Sequence, residues 1–214
     1  MLTGFLGFKR PIHYGRMAPC TFAVTNAESP HMQRIKALDI SAAPADSKPL
    51  LDAVQKKLGM VPNLFKTFAH SPAVLKFYLG QGEALATGVL PAALREQLAL
   101  VTAGTNQCDY CASAHTLLGK GAGVDAAEAA ANLQGHSSNA KTQAALTFAK
   151  AIVDLRGRVT SNQLQAVRTA GFGDAEIAEI IAHVSMNIFT NYFNHIAETV
   201  VDFPLVSTAH TKAA

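Results

Sequence analysis

Four residues in this chain have the types and spacing to do chemistry together. Cys108 and Cys111 form a C-x-x-C pair, His115 follows four residues after the second cysteine, and Glu96 precedes the first by twelve. On a helix beginning near Cys108, residues three and four apart share a face, so both thiols and the imidazole point the same way. A histidine one turn beyond a cysteine can take its proton or steady the thiolate as imidazolium. A helix N-terminus lowers a thiol pKa further, through unpaired N–H groups and the macrodipole, and this favours Cys108. Two thiols within one turn can close to a disulfide once one is oxidised. These are the parts of a dithiol redox centre, in which one sulfur attacks and the other resolves.

Glu96 joins that centre only if the chain reverses. On one straight helix it lies about 22 Å from Cys111, at ~1.5 Å per residue. The stretch Gly104–Gln107 holds break signals where a reversal is needed, and a fold-back there lets the carboxylate orient His115 or take a relayed proton. The competing reading of Glu96 is a solvated carboxylate in a first helical turn.

Other uses of the cysteines stay open on spacing alone. Haem attachment needs a histidine directly after the pair, and Ala112 stands there. Zinc could take Cys108, Cys111 and His115, but needs a fourth ligand, for which only His183 and His195 are plausible helical donors. A thioredoxin-like site needs βαβ context. Buried cysteines that only pack are the remaining reading.

The elements around the motif read as consecutive helices. Ser47 or Asp46 caps one that carries Pro49 in its first turn and ends at Gly59. Leu64–Ala69 is a short helix, Ser71-Pro72 opens another, and Pro91 starts the Glu96 helix. Asp125 with Glu128 and Thr160 with Gln163 are capping-box starts. A long last helix runs from Ala175 to about Val201, stopped by Pro204. No strand alternation appears, so the fold class is all-α.

Composition fits that picture. The 214 residues are 49% apolar and 15% charged, which marks a globular chain able to bury a sizeable core. Net charge is +3, of which residues 1–31 carry +2, and no basic patch interleaved with aromatics supports nucleic-acid binding. No apolar run is long enough to span a bilayer. Three cysteines do not make a secreted disulfide framework, and a close pair in a reducing compartment points to redox or metal chemistry, so a cytoplasmic location is expected. Residues 1–31, rich in Gly and Pro and without period, read as an N-terminal extension or as sequence upstream of a start at Met32, with Cys20 incidental. Residues 32–206 read as the helical domain and 207–214 as a tail.

Two further patterns concern the last helix. Glu176, His183, Asn187, Asn191 and Asn194 form one narrow polar stripe on an apolar helix. Either it faces solvent, or it walls a buried polar cavity or a subunit interface. The spacing from Glu96 to His115 also recurs from Glu176 to His195, a faint repeat of nineteen residues without the thiols.

The stretch resembles the alkylhydroperoxidase D and carboxymuconolactone decarboxylase family, in its peroxidase-related branch. Glu96, Cys108, Cys111 and His115 match that pattern in order and spacing, as do V-P-N-L-F at 61–65, S-P-A-V-L from Ser71, N-Y-F-N-H near the end and D-F-P at 202–204. The resemblance implies an all-helical fold of two related halves packed as one domain, assembled as a homotrimer or hexamer. It implies thiol-dependent reduction of a small hydroperoxide in antioxidant defence, without cofactor or metal. Cys111 attacks the peroxide, Cys108 resolves, His115 and Glu96 move protons, and a lipoyl or thioredoxin-like dithiol donor regenerates the enzyme. In the best-known peroxidase of the family a second histidine stands between the cysteines; here that position is Tyr110, a poor base at neutral pH. The alternatives are a carboxymuconolactone decarboxylase-like lyase and a redox-responsive binding or regulatory protein.

Overall fold

The computed structural model describes residues 33–208. The extension expected over 1–31, Cys20 included, and the end of the tail lie outside the described residues.

Among the described residues the secondary structure is helical and contains no strand. After a 3-10 turn at Ile40–Ala42 come α1 (Lys48–Leu58), α2 (Asn63–Phe68), α3 (Pro72–Ala86), α4 (Ala92–Asn106), α5 (Asp109–Gly121), α6 (Ala126–Leu133), α7 (Ala140–Asp154), α8 (Ser161–Thr169) and α9 (Asp174–Ala197). The capping signals explain most starts. Ser71 accepts from the Val74 N–H, Asp125 from Glu128 and Thr160 from Gln163, the last in a full capping box. Glu128 departs from the box expected of it. Its carboxylate leaves the helix start and gathers Gln97, Asn132, Ser137 and Ser138, which pins the polar loop after α6. Ser47 stands at the N-cap of α1, yet its hydroxyl donates to the Ala69 carbonyl instead of capping.

Helix α4 is the centre. Leu94, Gln97, Leu98, Ala99, Leu100, Val101, Thr102 and Ala103 are all buried, so it is covered nearly all round, as a helix inside a core must be. It packs against α5, α6, α7 and α9. Leu100 and Ala103 join an apolar cluster with α1, α2, α3 and α5, while Leu94, Leu98 and Val101 join a second with α7, α8 and α9. Helix α9 also serves both, with Phe189 and Phe193 in the first and Ile177, Ile180 and Val184 in the second. Phe68 anchors the first cluster, 4.5 Å edge-on from Phe193 and stacked on Phe189.

Two details differ from the sequence expectation. Helix α9 ends at Ala197, four residues before Val201, because Glu198 enters the left-handed region (φ 50°) and the Thr199 N–H turns back to the Asn194 carbonyl. Pro204 therefore is not what stops it. Gly104, read as a break signal, lies inside α4. A Cβ there would sit 1.9 Å from the Leu133 carbonyl oxygen, so the missing side chain is what lets α4 and the end of α6 close up.

Gly104→Ala forces that backbone contact apart and is expected to destabilise the fold by about 2 kcal/mol or more. Urea unfolding checks this: the midpoint should fall, and an unchanged midpoint would show that the α4–α6 approach tolerates a methyl group.

Candidate active site

The turn between α4 and α5 builds the site. Gln107 adopts left-handed backbone (φ 57°, ψ 47°), its N–H bonds the Gly104 carbonyl and the Cys108 N–H bonds the Ala103 carbonyl. That pair of bonds is a Schellman ending, and it reverses the chain within two residues. Helix α5 then runs back along α4, close enough that Gly119 lies 3.6 Å (from an added Cβ) from the Glu96 Cβ. Glu96 Oε2 accepts a hydrogen bond from His115 Nδ1 at 2.8 Å. The carboxylate thus holds the imidazole from behind and is not a solvated bystander.

Cys108 occupies the N-cap of α5 and Cys111 its first turn. Both are free thiols, exposed by 1% and 2%. Their surroundings are unequal. Cys108 hydrogen-bonds Cys111, and this bond does most to hold the Cys111 pKa below the ordinary thiol value. Burial opposes it, while the His115 charge and the amides of Asn191 and Asn194 reinforce it. Asn194 Nδ2 donates to the sulfur at 3.3 Å, and Thr190 Oγ1 lies 3.8 Å away. The same shared bond, with burial, pushes Cys108 up, so it stays a thiol and donates. Helix-dipole reasoning favours Cys108 as the anion; the donors converge instead on Cys111. For His115, burial works against the charged form, but the Glu96 carboxylate outweighs it and the pKa is raised.

The polar stripe of α9 faces inward. His183, Asn187, Asn191 and Asn194 are buried, and only Glu176 stands outside the group, bonding the Gly173 N–H at the helix start and pairing with Lys141. Asn191 accepts from Asn106 Nδ2 at 2.9 Å, and His195 Nε2 lies 3.3 Å from the Gln107 carbonyl. The repeat of Glu96–His115 in Glu176–His195 keeps the spacing without the geometry. Both residues of the second copy lie on α9, about 28 Å apart at ~1.5 Å per residue, with no turn between them.

Tyr110 has both hydrogen-bonding roles of its hydroxyl occupied. It accepts from the Leu64 N–H and donates to Asp202 Oδ1, each at 3.0 Å. Burial, with Asp202 beside it, pushes its pKa further up. It is a tether for the segment after α9. Asp202 Oδ2 also takes the Asn63 N–H, Val206 bonds Ser113, and Thr208 bonds Asp109. Chain past Val206 is therefore still docked on the Cys helix.

Two neighbours were not singled out with the motif. Tyr78 of α3 is partly buried; desolvation first, then the charges of Cys111 and Glu96, drive its pKa up. Arg95, adjacent to Glu96, donates to the Leu85 and Ala86 carbonyls at the end of α3. A cavity of about 220 Å³ opens there, lined among others by Arg95, Glu96, His115, His183, Met186 and Asn187. Its walls carry the Glu96–His115 pair but neither cysteine. Among the described residues no group of three or more His, Cys, Asp or Glu is arranged to hold a metal ion. No described helix is long and apolar enough to cross a membrane.

Residues 72–154 match the model of the carboxymuconolactone decarboxylase family. The matched segment spans α3 to α7, and so contains Glu96, both cysteines and His115, whereas the amides of α9 lie beyond it. An uncharacterized peroxidase-related protein from Ralstonia eutropha JMP134, an alkylhydroperoxidase AhpD core, shares the fold with a TM-score of 0.72 at 24% identity, over 80% of this chain and 94% of that one. A peroxidase-related protein from Silicibacter sp. TM1040 aligns with a TM-score of 0.69 at 23% identity, over 78% and 92%. The debrominase Bmp8, solved with 2,3,4-tribromopyrrole, aligns with a TM-score of 0.69 at 20% identity, over 80% and 92%. No curated protein sequence matches the chain. The all-α, AhpD-like helical fold expected from the sequence is thus the fold observed.

Titrating thiolate absorbance should place the Cys111 midpoint clearly below the ~8.5 of a free thiol. Asn194→Ala should raise it and slow alkylation of Cys111 on the acid side about tenfold, the worth of one hydrogen bond to a charged group. An unshifted midpoint in the variant would remove Asn194 from the set that holds the anion.

Proposed function

We propose that the protein is a thiol-dependent peroxidase and disulfide reductase. The observation that carries this reading is the placement of Cys111, a buried sulfur that takes the Asn194 amide at 3.3 Å, with Cys108 one turn away and the His115–Glu96 pair, joined at 2.8 Å, in the same site. The Cys111 thiolate attacks the terminal oxygen of a hydroperoxide, ROOH, and the O–O bond breaks. His115, protonated and held by Glu96, gives its proton to the leaving oxygen. The products are ROH and the Cys111 sulfenic acid. The Cys108 thiol then displaces hydroxide from that sulfur, the hydroxide takes up the Cys108 proton as water, and the disulfide closes. An external dithiol restores the pair and is itself oxidised to a disulfide. With both sulfurs almost without exposure, a slender lipoyl arm suits this step better than the broad face of a thioredoxin-like protein.

A homo-oligomer, trimer or hexamer, goes with this reading. Ile181, Tyr192 and Ile196 recur on one side of α9 and are exposed, which is the kind of apolar surface a second copy covers.

A second reading has its own observation. The cavity is walled by Glu96, His115 and His183 and by neither cysteine, an arrangement that also suits acid–base chemistry of a lyase. Thiol alkylation separates the two, since a lyase would keep its activity.

Peroxide consumption with a dithiol donor should be lost in Cys111→Ser. Cys108→Ser should consume one equivalent and stall, gaining the mass of one oxygen on Cys111. Equal turnover in the wild type and both variants would sink the peroxidase reading.

A further inference from the structure

His183 takes no part in the dithiol chemistry described above, and its placement asks for a ligand. It sits on α9 in the second apolar cluster's neighbourhood, 5% exposed, and its Nε2 is buried without a hydrogen-bond partner. A buried imidazole nitrogen left so loses its water hydrogen bond without replacement. The ring nonetheless lines the cavity that Glu96 and His115 line from α4 and α5. Asn187, one turn along α9, lines the same space and gives its Nδ2 to the His183 carbonyl, which fixes the helix locally while leaving the ring free. Leu85, Ala86, Ala99 and Met186 add apolar lining between the polar groups. The cavity is small, with a lining that is partly polar and partly apolar, and suits a compact organic molecule bearing one oxygen group.

The charged groups acting on His183 are Arg95, Glu179, Glu96 and His115. Burial, with Arg95 and His115, keeps the ring neutral against the two carboxylates. A neutral imidazole has one N–H to donate and one lone pair to accept with. His115 beside Glu96 is the opposite case, biased toward imidazolium. The two histidines on one cavity are therefore unlike: one is a proton donor, the other a fixed hydrogen-bonding dipole.

We propose that His183 is a further catalytic residue, which donates a hydrogen bond to the leaving oxygen of the hydroperoxide while the organic group lies against the apolar residues that line this cavity. The inference rests on the peroxidase reading. The proton that ends on ROH still comes from His115. His183 keeps its own proton throughout and stabilises the negative charge that grows on the leaving oxygen as the O–O bond breaks. It acts on no step after that, so the closing of the disulfide is independent of it.

The test is single-turnover oxidation of Cys111 by tert-butyl hydroperoxide, followed alongside alkylation of Cys111 by iodoacetamide at the same pH. His183→Leu should slow oxidation on the order of 10²-fold and leave alkylation unchanged. His183→Gln, which restores a donor, should recover much of the loss. Oxidation of His183→Leu at the wild-type rate would overturn the proposal. So would a parallel loss of alkylation in both variants, which would mark His183 as a packing residue. If the wild type itself resists the peroxide, the peroxidase reading fails and this inference with it; if the wild type reacts and His183→Leu reacts equally, only the role of His183 falls.

Discussion

The reversal at Gln107 is the constraint on which the site depends. Without it Glu96 and His115 are nineteen residues apart on one rod; with it they are in hydrogen-bond contact at 2.8 Å. Left-handed backbone costs a non-glycine residue about 1–2 kcal/mol, and no glycine relieves it here. The two Schellman bonds offset part of this cost. The rest of the support comes from α9. His195 approaches the Gln107 carbonyl and Asn191 takes the Asn106 amide, so the last helix clamps both sides of the turn. Loosening the end of α9 therefore disturbs the Glu96–His115 pair as well as the sulfurs.

The same helix solves an electrostatic problem. A buried thiolate needs donors, and a buried lysine or arginine would bring a desolvation cost of its own. Asn194 supplies an N–H group with no net charge, the Asn191 amide lies near, and Cys108 supplies an S–H. One negative charge is then shared over several neutral dipoles, and the charge that lowers the Cys111 pKa is that of His115, itself anchored by Glu96. This division of labour also explains why two thiols so close together behave differently. Once Cys111 is the acceptor, Cys108 must be the donor, and each pushes the other's pKa further in the direction it has already taken.

Much of this was legible in the sequence, because it follows from helical periodicity. Cys108, Cys111 and His115 share a face by spacing alone, and the break between two helices is visible in Thr105–Gln107. The stripe on α9 was legible as a pattern but not as a surface; burial is a tertiary fact, and only packing against α4 and α5 turns Asn191 and Asn194 toward a sulfur. Gly104 misleads for a related reason. A glycine in a helical run reads as a break, but here it serves a close approach to a carbonyl from a helix it precedes by a long stretch of chain. Gln107, the residue that does adopt the special conformation, belongs to a type that carries no such signal. The pairing of Asp202 with Tyr110 crosses ninety-two residues, and no local pattern announces it.

Tyr110 shows how a residue that looks deficient by chemistry is explained by packing. Lying one residue before Cys111, it is rotated about 100° around α5 from that cysteine, toward α2 and the segment after α9. There its ring packs edge-on against Phe203 at 5.6 Å and its hydroxyl joins Leu64 to Asp202. With Asn63 bonded to the same carboxylate, and Val206 and Thr208 fixed to Ser113 and Asp109, that segment is strapped across the start of α5. The strap belongs to the apolar cluster that contains both cysteines, through Val201, Phe203 and Val206. A histidine in place of Tyr110 would bring a titratable ring but lose the reach of the phenol to both partners. The chain has put its stability at this position, while the imidazole–carboxylate pair beside the cysteines, His115 with Glu96, borders the cavity that His183 also lines.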